Sequence, residues 1–505
     1  MTEQPSGTGN RDLIIIAAIA GVLGWCFDFF FSSRNPGASW IVFIVCILLG
    51  LAWTYRRRNT TWPRHIHWIV IPLVLTALNV GFRASVELQT LSILFSIALL
   101  LLVIVQSTQM TVFLFSVVDF AKTALLPLQW IPSFFRNIVS LFSMHIHPKN
   151  TRAAGVLKGV IMAIPLLIIF GALFSSADLV FKKFIGDLFQ FSINPVTVFH
   201  IGLTLFGAAI AFGALTYVWQ YQQPSTTQKN TAASRFIGST EINVMLGLIA
   251  ALFLLFVCIQ VTYLFGGQQT ISDQGFTYAD YARRGFFELL VVAVVSFVLL
   301  WEAGRAMTRH NHNTSIFRWI SSIVIFCVLG IMTSSFMRLA LYEQAYGFTT
   351  QRLYSHVFTV YLGFLFVLLL KKILRHEHEP LFLRWAFGIA VLSLLTLSVL
   401  NPDLYIARQN IERYQKTGNI DVQYLTTLST DAVPQLVRLL ADKDTAIRQS
   451  VADALWIHQQ ELVNPYRNSL LSWTWSQHEA ERILTQHQSE IERLRTQLLL
   501  QTPLQ

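Results

Sequence analysis

The feature that most limits what this chain can become is a recurrence of eleven mostly apolar stretches, each near bilayer-spanning length. They lie near 13–32, 37–54, 68–83, 88–106, 154–176, 197–218, 242–266, 285–304, 316–337, 353–370 and 383–400. A spanning helix needs about 20 such residues to cover about 30 Å of hydrocarbon. In lipid every backbone N–H and C=O must find an internal partner, so each stretch reads as a helix. Composition agrees: 54% of the 505 residues are apolar and only 13% are charged, where soluble domains carry about 25%. The expected fold class is all-α, a polytopic transmembrane helix bundle of about eleven spans. The third stretch is short enough to be tilted or re-entrant. Residues 107–150 break the pattern at Pro127, Pro132 and Arg136 and read as interfacial helices. The first stretch ends in Phe29-Phe30-Phe31 with no small-residue cleavage site, which predicts an uncleaved anchor.

Lysine and arginine counts orient such a bundle. With the N-terminus inside, the inner segments hold 18 of these residues and the outer loops 8. The expected topology has the N-terminus on the cytoplasmic side and, after an odd number of spans, the C-terminal tail outside. The chain divides on this reading into a bundle, residues 1–402, and a soluble helical tail, residues 403–505. The tail holds 10 Lys+Arg and 12 Asp+Glu, so the basic excess belongs to the bundle and suits anionic lipid. The lipid bilayer is the first partner. No basic cluster in the tail interleaves with aromatics, so nucleic acid is not expected. Cys26, Cys46, Cys258 and Cys327 all fall in apolar stretches and read as small core residues.

The tail reads as helices. Leu404, Ala407, Ile411 and Tyr414 share a face, and Gly418 stops that helix. Ser429-Thr430-Asp431, with Pro434 soon after, starts another, and residues 445–460 supply its antiparallel companion. The pair resembles one HEAT-like unit, followed by a charged amphipathic helix near 475–500. One unit cannot bury its face alone, which predicts packing on the bundle or a protein partner bound through the tail.

Polar residues concentrate in three segments, all placed on the outer face by this topology. The first carries Tyr278, Tyr281, Arg283, Arg284 and Glu288, with Glu288 about a turn inside the membrane edge. The second carries Arg338, Tyr342, Glu343 and Arg352, with Tyr354 close behind. The third is Asn401-Pro402-Asp403 followed by Arg408, Asn410, Glu412 and Arg413. Asp28, at the end of the first stretch, joins them. Arginine forks and tyrosine walls of this kind would form an outward vestibule for a phosphate, carboxylate or head group. The alternative is that the same residues are salt bridges and interfacial tyrosines that lock the bundle.

These segments also carry a resemblance. Tyr278-Ala-x-Tyr-Ala-Arg-Arg-Gly-Phe-Phe-Glu288, Arg338 with Leu-Tyr-Glu-x-Ala-Tyr-Gly347, and Asn401-Pro-Asp with Ala407-Arg-x-Asn-Ile-Glu-Arg413 are similar to an uncharacterised bacterial membrane family. It is a domain of unknown function, four-one-seven-three in words, and the similarity runs over most of residues 13–440. It implies a bacterial multi-pass membrane protein with a small helical tail. It carries no established activity, substrate or catalytic residue.

Eight of the thirteen histidines form four His-x-His pairs: His65/His67, His145/His147, His310/His312 and His376/His378. Such a pair chelates only in extended backbone, since in a helix the two rings point about 200° apart. His376 and His378, flanked by Glu377 and Glu379, are the best metal candidates, and short polar loops account for all four pairs without a metal. No P-loop, zinc-protease motif or nucleophile elbow is present, so no catalytic residue and no cofactor is expected. Three functions fit. The first is a non-enzymatic binding, scaffold or sensing component. The second is a transporter or flippase of an anionic or lipid-linked solute, with Glu288 and Glu302 along a path. The third is a membrane glycosyl- or phospholipid-group transferase using Asp28.

Overall fold

The computed structural model describes residues 10–32, 35–57, 66–108, 115, 117–127, 130, 195–220, 239–265, 286–310, 315–375, 377–463 and 471–501. Among them there is no strand. The helices of the membrane region are α1 (Asn10–Phe31), α2 (Ala38–Arg57), α3 (His67–Phe82), α4 (Val86–Gln106), the short α5 (Val117–Ala124), α6 (Pro195–Gln220), α7 (Ser239–Phe265), α8 (Phe286–His310), α9 (Ser315–Tyr346), α10 (Thr350–Arg375) and α11 (Glu379–Leu400). Eight of these are long and apolar enough to cross a membrane, and α3 and the apolar part of α7 (Ile242–Cys258) are shorter apolar helices. These ten correspond to ten of the eleven stretches. The stretch at 154–176 lies outside the described residues, as does most of 107–150.

Among the described residues, two large apolar cores fill the bundle beside a small cluster of Leu88, Leu394 and Leu397. One joins α1 to α4, α6 and the side of α11 that carries Val391. The other joins α7 to α10 with Phe382 and Ala386 of α11, so α11 belongs to both. In a bilayer helices associate through close packing and interhelical hydrogen bonds, because lipid is as apolar as leucine. Both devices are present. Gly24 of α1 sits against the backbone of Thr204 and Ala208 on α6, and a Cβ at Gly24 would collide with them. Between α3 and α4, Asn79 Nδ2 donates to Ser92 Oγ at 2.8 Å and Ser96 Oγ to Thr76 Oγ1 at 3.0 Å.

The tail comprises α12 (Pro402–Thr417), α13 (Val422–Leu425), α14 (Val433–Leu436) between two 3-10 turns, α15 (Thr445–Val463), α16 (Trp475–Gln486) and α17 (Gln488–Gln501). Gly418 caps α12 at φ 72°, as its placement predicts. The single helix expected near 475–500 is two helices, because the chain bends at His487. That bend lets Leu484 on one side and Ile491 and Leu494 on the other reach the same core. This core also takes in Leu353 from α10, so the tail buries part of its apolar face on the bundle.

Candidate functional site

The tail docks where four turns of the bundle meet, and the residue types at those turns explain the geometry. Asn401 ends α11 in the left-handed region at φ 53°, which asparagine tolerates better than most residues. Its side-chain oxygen then caps α12 by accepting from Leu404 N, while its Nδ2 donates to Asp431 Oδ1 at 3.1 Å. Asp431, fully enclosed, is the hub. Its Oδ2 accepts from the backbone N–H of Ala84 at 2.8 Å and of Ser85 at 3.1 Å, in the α3–α4 turn. Ser476 Oγ at the start of α16 also donates to it, and Arg83 stands 3.7 Å away. Arg83 Nε in turn donates to Ser398 O at 2.7 Å. The α1–α2 turn joins through Ala38 N to Trp473 O at 3.0 Å and Ser39 N to Leu471 O at 2.8 Å.

The α9–α10 turn is held from the tail side. Gly347 has φ 87°, and a Cβ there would stand 2.5 Å from Asn410 Oδ1. Asn410 brackets the neighbouring peptide, accepting from Phe348 N and donating to Phe348 O, both at 2.8 Å. Arg413 donates to Gln344 O at 2.9 Å and to Ala345 O, covering the last carbonyls of α9. The Tyr424 hydroxyl accepts from Thr350 N at 2.7 Å.

Between these staples lies a cavity of about 1020 Å³, walled by both bundle and tail. Glu87, Tyr342, Arg352, Tyr354, Asp403 and Tyr424 give it its chemistry. Arg352 lies 4.1 Å over the Tyr342 ring and donates to Gly347 O. Asp403 is 3% exposed and accepts from Ser429 N at 3.1 Å. Burial pushes its carboxyl up to about 6, and the nearby acids Asp431 and Glu87 push the same way against the hydrogen bonds from Ser429.

Of the residues singled out in the sequence, Tyr342, Arg352, Tyr354 and Asp403 line this cavity. Glu343, one position on from Tyr342, does not. It is 3% exposed inside the bundle, where its Oε2 is 3.0 Å from His356 Nε2. Asp28 pairs with His200 of α6 at 2.8 Å, also away from the cavity lining. Arg338 lies a turn earlier on α9 and does not line the cavity either. Tyr278, Tyr281, Arg283, Arg284 and His376 lie outside the described residues, and of Glu288 only the helical backbone is described. His378 precedes α11 in extended backbone, and among the described residues no three His, Cys, Asp or Glu side chains gather as a metal site. Glu302, offered as the inner end of a solute path, is paired with Arg305 at 3.1 Å and is largely exposed.

Three contributors escaped sequence reading. Asp431 was legible only as a helix start. Glu87 and Tyr424 carried no motif. The available signal for Asp431 is an acid set just before the apolar run from Ala432 to Leu440, where a carboxylate is costly unless several donors meet it.

A family model, Domain of unknown function (DUF4153), matches residues 70–439, and the chain belongs to that family. The family is therefore of the uncharacterised kind that the motifs indicate, and its number is four-one-five-three where they suggested four-one-seven-three. The matched region starts in α3 and ends in the first half of the tail, so it contains every wall of the cavity. Among curated proteins and solved structures, none matches.

Proposed function

We propose that this is a non-enzymatic binding or sensing component of the bacterial cytoplasmic membrane, with a vestibule between bundle and tail that opens to the outer face. The supporting observation is the cavity of about 1020 Å³ whose walls come from both parts of the chain. A ligand there touches α4, α9, α10 and the tail together, so occupancy would change how firmly the tail is held. The lining offers one guanidinium, two carboxylates and three phenols. That set suits a polar, hydroxyl- or amine-bearing envelope component better than a simple anion. On this reading the bundle ends near residue 402, the N-terminus is cytoplasmic, and the tail is a docking module for a protein partner.

Native mass spectrometry of protein released from membranes tests the reading. Wild-type protein is expected to carry a bound species. Thr90→Trp, which fills the cavity from the exposed side of α4, is expected to lose it with the fold intact. An empty wild type, or equal retention by the variant, would overturn the proposal.

A second reading, transport of an anionic or lipid-linked solute, is favoured by the carboxylate–histidine pairs Glu343–His356 and Asp28–His200 within the bundle. Carboxylate–histidine pairs within a bundle are usual parts of proton relays, and Glu343–His356 is the more enclosed of the two. It requires Glu343→Gln to abolish proton flux into liposomes that wild-type protein supports.

A further inference from the structure

At the end of the bundle away from the tail lies a second cavity, of about 360 Å³. It is formed by the end of α8, the start of α9, the end of α10 and the start of α11. Its acids are already matched. Glu377 pairs with Lys371 at 3.1 Å, and Glu379 with Arg305 at 3.5 Å. Two further cations line the same space. Lys372 Nζ rests 3.6 Å from the centre of the Trp301 ring, with no carboxylate within 4 Å among the described residues. Arg318 Nε is buried with no acceptor among the described residues. A buried guanidinium N–H without an acceptor is costly. A lysine held on an aromatic face still has N–H donors pointing away from the ring and available to a further partner. The N-terminus of α11 adds its positive end to the same space.

We propose that this cavity binds a phosphate group, held by Lys372 and Arg318 with Arg305 at its edge. The volume accommodates a phosphate with its ester substituent. Exposed Trp319 and Trp385 stand on α9 and α11 at this end, at the level where tryptophan marks a membrane–water interface. The phosphate can therefore come from a lipid phosphodiester or from solution.

The test uses the full chain in detergent, with dioleoyl phosphatidylglycerol, inorganic phosphate and dioleoylglycerol as separate probes. Retention and thermal shift are read for each. Stabilisation by phosphatidylglycerol alone assigns a lipid source, and stabilisation by inorganic phosphate assigns a soluble one; dioleoylglycerol is expected to do nothing. Lys372→Gln and Arg318→Gln should each weaken the effective probe by about tenfold, as expected for one lost charge-assisted hydrogen bond, and Lys372→Arg should restore much of it. Gly304→Leu keeps every charge and fills the cavity, since a Cβ at Gly304 meets only Phe317 Cζ at 3.9 Å. It should abolish binding. Unchanged binding in Gly304→Leu, an equal response to dioleoylglycerol, or no response to either phosphate probe would each overturn the site.

Discussion

Asp403 and Asp431 are neighbours in one interface, yet the donors that meet them differ in number. Asp431 meets donors from Ala84, Ser85, Asn401 and Ser476. Asp403 is held mainly by Ser429, and burial raises its carboxyl from 3.8 to about 6. Above about pH 6 the folded chain therefore carries a poorly solvated charge that the unfolded chain would hydrate. The cost falls as pH drops through 6 and vanishes below 3.8; it is about 3 kcal/mol at most. Asp403→Asn keeps an oxygen for the Ser429 N–H and removes the charge. It should raise the melting temperature at pH 7.5 and flatten the dependence between pH 7.5 and 5; a wild-type curve parallel to the variant's would refute this. Asp431→Ala should act the other way. It strands the N–H groups of Ala84 and Ser85, at about 3 kcal/mol or more, and should expose the tail to limited proteolysis. What was legible at this scale follows helix geometry. Tyr342 and Arg352 were recognisable because both flank the turn at Gly347. Glu343, next to Tyr342, faces into the bundle against His356 because successive helical residues diverge by about 100°. Asp431 could not be read locally, since its donors come from positions as far away as Ala84.

Helices were legible wherever an apolar run was long and its ends were chemically marked. Asn401 with Pro402 and Gly418 fix three ends, and the structure puts caps at each. Length was harder. The α9 run reads as residues 316–337, but the helix has 32 residues, about 48 Å at 1.5 Å per residue. The additional turns carry Tyr342 and the carbonyls that Arg413 covers up to the tail. Apolarity reports what sits in lipid, not where a helix continues once held by protein. Helix partners were also hidden, because the α1–α6 crossing depends on small residues whose contribution is their lack of a side chain. Gly24→Leu should therefore cost at least about 1–3 kcal/mol through overpacking. Gly21→Leu, one turn earlier with open space around it, should stay within about 0.5 kcal/mol. Equal melting temperatures for the two variants would mean that the crossing does not need close approach.

Across the whole molecule the two ends of the bundle differ in kind. At one end the α1–α2, α3–α4 and α9–α10 turns and the last turn of α11 all meet a tail of net charge −2. At the other, Arg305, Arg318, Lys371 and Lys372 crowd the ends of α8 to α11. A bilayer reads that asymmetry through the retention of lysine and arginine on the cytoplasmic side, so the basic end should lie inside and the tail outside. Cysteine labelling in spheroplasts checks this directly. In a background with the four native cysteines replaced, Lys443→Cys sits on an exposed tail position and Arg375→Cys at the exposed end of α10. A membrane-impermeant maleimide should label the first in intact spheroplasts and the second only after permeabilisation. The reverse pattern would put the tail in the cytoplasm, turn the vestibule inward and make a cytoplasmic partner its natural ligand. Labelling of both before permeabilisation would mean that the two ends do not bracket a bilayer at all, and the phosphate cavity would then lose its reason for lying among tryptophans.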